Sequence, residues 1–225
     1  WCVLAAIALS RSFPLIQESV WNGFPWGVPC GKSLLGRTAG IIGVGGIGIA
    51  LAKRLQSFGM RLIGIKRNPH QIPQGLNFEW MKGMNALPEL VKEADYQFLC
   101  LPQTEDTKCL FNHQIFQVIK EGAYLINPAR GGLIDRVALS EALENERLAG
   151  VAMDVFWQEP TIPHDHLFQH PKILVTPHIA GATDTSYQGI AEGVVRNIRL
   201  VLSGKLPKNC VNPEVLSHPR WQSKK

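Results

Sequence analysis

Cysteine is sparse in this chain, and none of its five residues (Cys2, Cys30, Cys100, Cys109 and Cys210) stands in a CxxC pair. An odd number at such wide spacing argues against a disulfide framework and against a zinc site, and it points to a reducing, cytoplasmic compartment. Long apolar runs are missing too. The most hydrophobic stretch, the opening "WCVLAAIALS", stops at Arg11, too short to span a bilayer, and it lacks the basic leader and small-residue cleavage pattern of a signal peptide. It reads as a buried helix, and no membrane partner is expected. Because it starts uncapped and without Met, it is expected to continue something upstream. Blocks of like charge are also scarce. The net charge is +5 and the pI about 9.0, yet Lys and Arg are scattered and the one dense run is the terminal "QSKK". Without basic clusters interleaved with aromatics, nucleic acid is not an expected partner. Small anionic ligands suit the same balance, and no internal repeat or low-complexity segment is visible.

What is present is an ordinary globular composition, 45% apolar, arranged as short apolar runs alternating with longer helical patterns. That alternation is the signature of an α/β domain with a doubly wound parallel sheet of the Rossmann type. Strands are expected at "TAGIIGV", "RLIGI", "YQFLCL", "AYLIN", "LAGVAMDV" and "KILVTP". Helices are expected to include Ile47 to Phe58, Leu87 to Glu93, Arg136 to Asn145 and Thr185 to Leu202. The stretch from Trp21 to Lys32, rich in Gly and Pro, reads as a connector, and the chain beyond Ser203 turns irregular. Residues 1–181 are expected to form the dinucleotide-binding domain, with residues 1–21 as a helical lead-in. Residues 182–225 would be a C-terminal helix and tail returning toward a second, substrate domain of which only remnants are present.

Gly43, Gly45 and Gly48 satisfy GxGxxG between an apolar strand and the helix "IGIALAKRLQSFG". Glycines there allow a tight turn and close backbone approach, so that a pyrophosphate can rest on unpaired N–H groups at the positive end of the helix. At the end of the next strand, where an acidic residue would take the ribose hydroxyl of NAD, the chain has Lys66 and Arg67. Two cations there suit the extra phosphate of NADP, so NADP is the expected cofactor and NAD the alternative. Arg130 in "NPARGG", Glu159 in "DVFWQEP" and His178 in "TPHIAG" each follow an expected strand and can converge at the carboxyl edge of the sheet. A guanidinium grips an anionic substrate, and a histidine beside a carboxylate suits a general acid. Taken singly, Glu159 reads as a surface salt bridge and His178 as a satisfied buried histidine. Asp154 can accept a hydrogen bond from a nicotinamide carboxamide, or cap a turn. The "HDH" of His164, Asp165 and His166 sits in a turn-like context, and no metal site is expected there.

"GIIGVGGIGIALAKRLQSFGM", "LPQTEDT", "INPARGGLID", "LAGVAMDVFWQEP" and "ILVTPHIAGAT" occur in an order and spacing that closely resembles the D-isomer-specific 2-hydroxyacid dehydrogenase family over nearly the whole chain. The resemblance implies a hydride-transferring oxidoreductase acting on a small 2-oxo or D-2-hydroxy acid of the glyoxylate, hydroxypyruvate or 3-phosphohydroxypyruvate class. It implies Arg130 on the substrate, His178 as general acid or base, and Glu159 as its partner. Gly46 and Ile47 would lie along the pyrophosphate, and Leu101 and Pro102 beside the adenosine. Pro128 and Ala129 would lie near the nicotinamide ribose, and Asp154 at the carboxamide. Thr107 and Gly181, which close "LPQTEDT" and "TPHIAG", complete the cofactor-binding set, to which Lys66, Arg67, Arg130 and His178 also belong. Lys66 replaces the Asp of most members, as in the family's NADP-using reductases. Glu159 stands where formate dehydrogenases resemble one another in having Gln, so formate is not an expected substrate. Members of the family carry further residues ahead of this chain's first, forming most of a substrate domain. A homodimer is implied, with Trp1, Trp21, Phe24 and Trp26 as candidate apolar contacts. Two alternatives of other classes are a corepressor-like dinucleotide-binding interaction protein and a truncated isoform that binds cofactor without turnover.

Overall fold

In the computed structural model the described residues are 1–13, 15–16, 20, 22–23, 27, 30–70, 72–161 and 165–218. Two compact units divide the chain, residues 1–180 and 181–225. The first contains a seven-stranded, wholly parallel sheet in the order β3-β2-β1-β4-β5-β6-β7. Its strands are β1 (Thr38–Ile42), β2 (Arg61–Ile65), β3 (Phe78–Lys82), β4 (Tyr96–Leu99), β5 (Ala123–Asn127), β6 (Leu148–Met153) and β7 (Ile173–Val175). The helices are α1 (Cys2–Ser10), α2 (Gly46–Ser57), α3 (Leu87–Glu93), α4 (His113–Val118) and α5 (Arg136–Glu144). The order reverses between β1 and β4, which opens a crevice beyond their carboxyl ends.

Near-continuous apolar strands are what a sheet covered on both faces requires. Successive residues divide between two buried clusters, as the two-residue period of a strand dictates. Ile42, Ile63, Leu99, Leu125 and Val151 join one cluster, with residues of α3, α4 and α5. Ile41, Leu62, Phe98, Ile126 and Ala152 join the other, with residues of α1 and α2. The opening helix is thereby accounted for: Ala5, Ala6, Ala8 and Leu9 are buried, and Leu4 and Ile7 are exposed.

Six strands were legible in the sequence, and the seventh, β3, is the correction to that reading. "FEWMK" carries Glu79 and Lys82 and is an edge strand whose burial fades along its length, so its pattern lacks an apolar run. It is held by β2 and by Arg61, whose guanidinium grips Glu79 through two 2.6 Å hydrogen bonds. α4 is a further element not among the expected helices. Asn112 caps it by accepting from the Ile115 N–H. Half of the connector of residues 21–32 lies outside the described residues.

Asp95, just before β4, ties three segments together. Its carboxylate accepts from the Thr38 N–H at 2.8 Å and pairs with Lys120 at 2.7 Å, with Arg37 at 3.9 Å. Burial alone would raise its carboxyl, but the Lys120 and Thr38 hydrogen bonds and the charges of Lys120 and Arg37 outweigh this and hold it below the ordinary value. A carboxyl lowered on folding stabilises the chain above its unfolded value, and that contribution is lost as pH falls through the folded value. Asp95→Asn is therefore expected to lower the urea midpoint near neutrality and to converge on the parent at acid pH. Urea titrations at several pH values check this, and a pH-independent gap would contradict it.

The second unit is built on α6 (Asp184–Leu202), opened by a capping box of Thr183 and Ser186. Asn197 on this helix donates to the Lys208 carbonyl and accepts from the Lys208 N–H. The tail carries a 3₁₀ turn at Pro213–Ser217. No helix among the described residues is long and apolar enough to cross a membrane.

Candidate active site

Every candidate side chain of the first unit follows the carboxyl end of a strand, so the parallel sheet delivers them all to one edge. Gly43 directly follows β1 with φ +101°, a conformation that side-chain-bearing residues rarely adopt. A Cβ on it would lie 2.6 Å from the Cys100 carbonyl oxygen. The β1 and β4 ends thus meet backbone to backbone at the crevice. A Cβ on Gly48 would lie 2.4 Å from the Gly43 oxygen, which explains why α2 can start so close to β1. Gly45 and Gly46 differ: both are exposed, and a Cβ on either would meet nothing within 4 Å. Gly45 is the N-cap of α2 and offers no side-chain cap, and the space beside Gly45 and Gly46 at the start of this twelve-residue helix is open, next to exposed Ile47. That cradle suits the pyrophosphate of a dinucleotide on both space and charge. Gly48→Ala is expected to cost about 1–3 kcal/mol through overpacking and to weaken dinucleotide binding about tenfold or more. Urea unfolding and a fluorescence titration check it, and near-parental values in both would contradict the packing described.

Lys66 and Arg67 follow β2 directly. Neither joins an ion pair among the described residues, and Arg67 is exposed while Lys66 is partly so. Beyond β4, Leu101 is buried and Pro102 exposed. Thr107 closes this loop, donating from Oγ1 to the Pro102 carbonyl at 2.9 Å and accepting from the Thr104 N–H at 2.7 Å.

At the end of β5 the fully buried Asn127 sets the conformation of the next residues. Its Oδ1 accepts from the Ala129 N–H at 3.0 Å and its Nδ2 donates to the Arg130 carbonyl at 2.9 Å. Pro128 and Ala129 are partly exposed in this turn, and Arg130 is exposed, donating from Nη1 to the Ala129 carbonyl. Asn127 had no role in the sequence reading, although it opens "NPARGG". A polar residue ending a wholly apolar strand was the available signal.

Asp154, at the end of β6, has no exposed surface. Its Oδ1 accepts from Thr176 Oγ1 at 2.5 Å and from the Ile179 N–H at 2.9 Å, and its Oδ2 accepts from the Ala180 N–H at 2.7 Å. In this arrangement the carboxylate holds the turn after β7. His178 sits within that turn at φ +55°, an uncommon conformation for a residue with a side chain. The hydrogen bonds on either side sustain it, including His178 N–H to the Thr176 carbonyl at 3.0 Å.

His178 Nδ1 lies 2.7 Å from Glu159 Oε2. Oε1 of Glu159 accepts from the Phe156 N–H at 3.1 Å, which fixes the carboxylate from behind. Slight burial pushes the Glu159 carboxyl up, but the His178 and Phe156 hydrogen bonds and the charges of His178 and Arg130 hold it below its ordinary value. Glu159 is therefore a carboxylate at neutral pH and within electrostatic reach of Arg130. The pair borders a cavity of about 560 Å³ walled by Phe156, Phe168, Val175 and Pro177 among others. The Glu159 and His178 side chains remain 38% and 46% exposed.

The remaining candidates lie elsewhere. Gly181 begins the second unit, where its carbonyl accepts from Ser186 Oγ. Of "HDH", His164 lies outside the described residues, and Asp165 pairs with Arg136 at 2.7 Å. Among the described residues no group of three His, Cys, Asp or Glu side chains could hold a metal ion. Trp21, Phe24 and Trp26 also lie outside the described residues.

Comparison with known proteins bears on this site. Residues 3–180 match the sequence model of the family described as D-isomer specific 2-hydroxyacid dehydrogenase, NAD binding domain. A glyoxylate reductase of Thermococcus onnurineus is 36% identical over 224 residues, covering 96% of this chain and 66% of that protein. Among solved structures, a D-lactate dehydrogenase of Treponema pallidum superposes with a TM-score of 0.82 at 30% identity, covering 92% of this chain and 66% of the other. A glyoxylate reductase of Paecilomyes thermophila gives 0.79 at 30% identity, covering 91% and 62%. The chain thus spans a little under two thirds of the length of each.

Proposed function

This chain belongs to the D-isomer-specific 2-hydroxyacid dehydrogenase family, and from that premise we propose that it serves an NADP-preferring reductase of small 2-oxo acids, with glyoxylate or hydroxypyruvate as substrate. The observation that carries the reading is the 2.7 Å Glu159–His178 pair, within reach of the Arg130 charge and on the same sheet edge as the glycine cradle. Gly45, Gly46 and Ile47 would hold the pyrophosphate, Lys66 and Arg67 the 2′-phosphate, and Leu101, Pro102 and Thr107 the adenosine side. Pro128 and Ala129 would border the nicotinamide ribose. Held there, a dinucleotide would supply the hydride that the carbonyl carbon of the acid receives.

The chain's own residues do the rest. Glu159 engages Nδ1 of His178, which leaves Nε2 to give its proton to the carbonyl oxygen as the hydroxy acid forms. Arg130 binds the substrate carboxylate and steadies the charge growing on that oxygen. In the reverse direction the neutral histidine takes the hydroxyl proton. A reducing, cytoplasmic setting fits five cysteines that are all free, and a homodimer fits the exposed Leu4, Ile7 and Phe13 near the N-terminus.

The test is NADPH oxidation with glyoxylate or hydroxypyruvate, in protein carrying the substrate lobe that its longer relatives have. Arg130→Ala is expected to cut turnover by about 10²-fold or more and to leave NADPH affinity nearly intact. Undiminished turnover would overturn the assignment.

A further inference from the structure

The loop that carries His178 is tied to the far end of the sequence. Trp1 Nε1 donates to Thr176 Oγ1 at 2.8 Å, across 175 residues. An indole can only donate, so the Thr176 oxygen must accept there, and its own proton is directed to Asp154 Oδ1. The same Asp154 carboxylate receives the Ile179 and Ala180 N–H groups, the two residues that follow His178. Trp1 precedes α1, and its carbonyl accepts from the Ala5 N–H in that helix's first turn. α1 in turn packs on β5 and β6. A chain of hydrogen bonds with assigned donors and acceptors thus runs from the Trp1 indole through the Thr176 hydroxyl and the Asp154 carboxylate to the amides that follow His178, itself held at positive φ. Without the indole, the Thr176 hydroxyl can rotate away from Asp154, and the carboxylate loses one of the three donors that orient it.

We propose that Trp1 is a positioning residue for His178, acting through Thr176 and Asp154 to fix the turn from which the histidine works. The inference rests on the proton-transfer role given to His178 above. Its first readout, amide hydrogen exchange in the isotope-labelled chain, does not. Trp1→Phe keeps the aromatic bulk and removes only the N–H. It is expected to speed exchange of the Ile179 and Ala180 amides about fivefold, the worth of one ordinary hydrogen bond, while amides in β1 and β4 keep their rates. Thr176→Val is expected to do the same, Thr176→Ser to restore parental exchange, and Trp1→Phe to add nothing on top of Thr176→Val. Should Trp1→Phe loosen the whole chain, the comparison of Thr176→Val with Thr176→Ser decides: acceleration confined to Ile179 and Ala180 supports the relay, and uniform acceleration overturns it.

Unchanged exchange in Trp1→Phe, or effects of the two variants that multiply, would also overturn it. The second readout is turnover in protein carrying a substrate lobe, where kcat is expected to fall about threefold to fivefold with KM for NADPH unchanged, in line with that exchange effect. A parental protein without turnover would refute the function proposed for the site and leave the exchange result to judge the positioning role. A parental protein that turns over, with kcat untouched by Trp1→Phe, would refute the positioning role alone.

Discussion

His178→Asn is expected to reduce reduction of glyoxylate or hydroxypyruvate by about 10²- to 10⁴-fold, the usual range for losing a positioned general acid. Asparagine is the informative replacement because it tolerates the left-handed backbone that His178 adopts at φ +55°. It can also still reach toward Glu159, but it cannot deliver a proton. Loss of activity then reports proton transfer and not collapse of the turn. NADPH affinity is expected to change little, since the glycine cradle follows β1 and the histidine follows β7. The measurement is kcat beside a fluorescence titration, and it would count against the mechanism if kcat survived. Glu159→Gln should fall between parent and His178→Asn, because the amide keeps a hydrogen bond to Nδ1 and gives up the carboxylate charge.

Exchanging Lys66 and Arg67 for Asp and Ser is expected to shift the ratio of NADPH to NADH affinity by about 10²-fold toward NADH, the scale of one or two charge-assisted contacts. In the parent both cations lie free of ion pairs among the described residues, immediately after β2. An Asp at position 66 would repel the 2′-phosphate and accept from the ribose hydroxyl instead. The chain contains six Trp residues, so intrinsic fluorescence can follow both titrations. Equal affinities in parent and variant would remove any role of these cations in cofactor choice, and tighter NADH binding by the parent would reverse the preference.

The sheet was legible because buried parallel strands leave apolar runs between helical patterns, and β1, β2, β4, β5, β6 and β7 all do so. β3 escaped because an edge strand need bury only part of one face, and its Glu79 is spent on Arg61 of the neighbouring strand. At the candidate site, the residues that would touch ligand were visible as motifs, since glycines, a guanidinium and an imidazole carry chemistry on their own. Of the groups that hold them in place only Asp154 was named, with a turn cap as one of its two readings. Asn127 shapes the Arg130 turn by hydrogen bonds to neighbours two and three residues away, a role any strand-ending Asn could fill or leave unfilled. Asp154 and Thr176 belong to different strand ends 22 residues apart, and only the pairing of β6 with β7 brings them together. Trp1 is more remote still, and nothing in "WCVLAAIALS" distinguishes an indole that merely packs from one that donates to a distant hydroxyl.

The proposed function requires one sheet edge to hold a nicotinamide dinucleotide with its reactive end beside Arg130 and His178. The decisive experiment adds NADPH to the isotope-labelled chain and follows its amide chemical shifts. Perturbations are expected at Gly45, Gly46 and Ile47, at Lys66 and Arg67, and at Ala129, Arg130 and Ile179, with the outer faces of α3, α4 and α5 unaffected. Saturable shifts confined to other residues, or none at all, would contradict it.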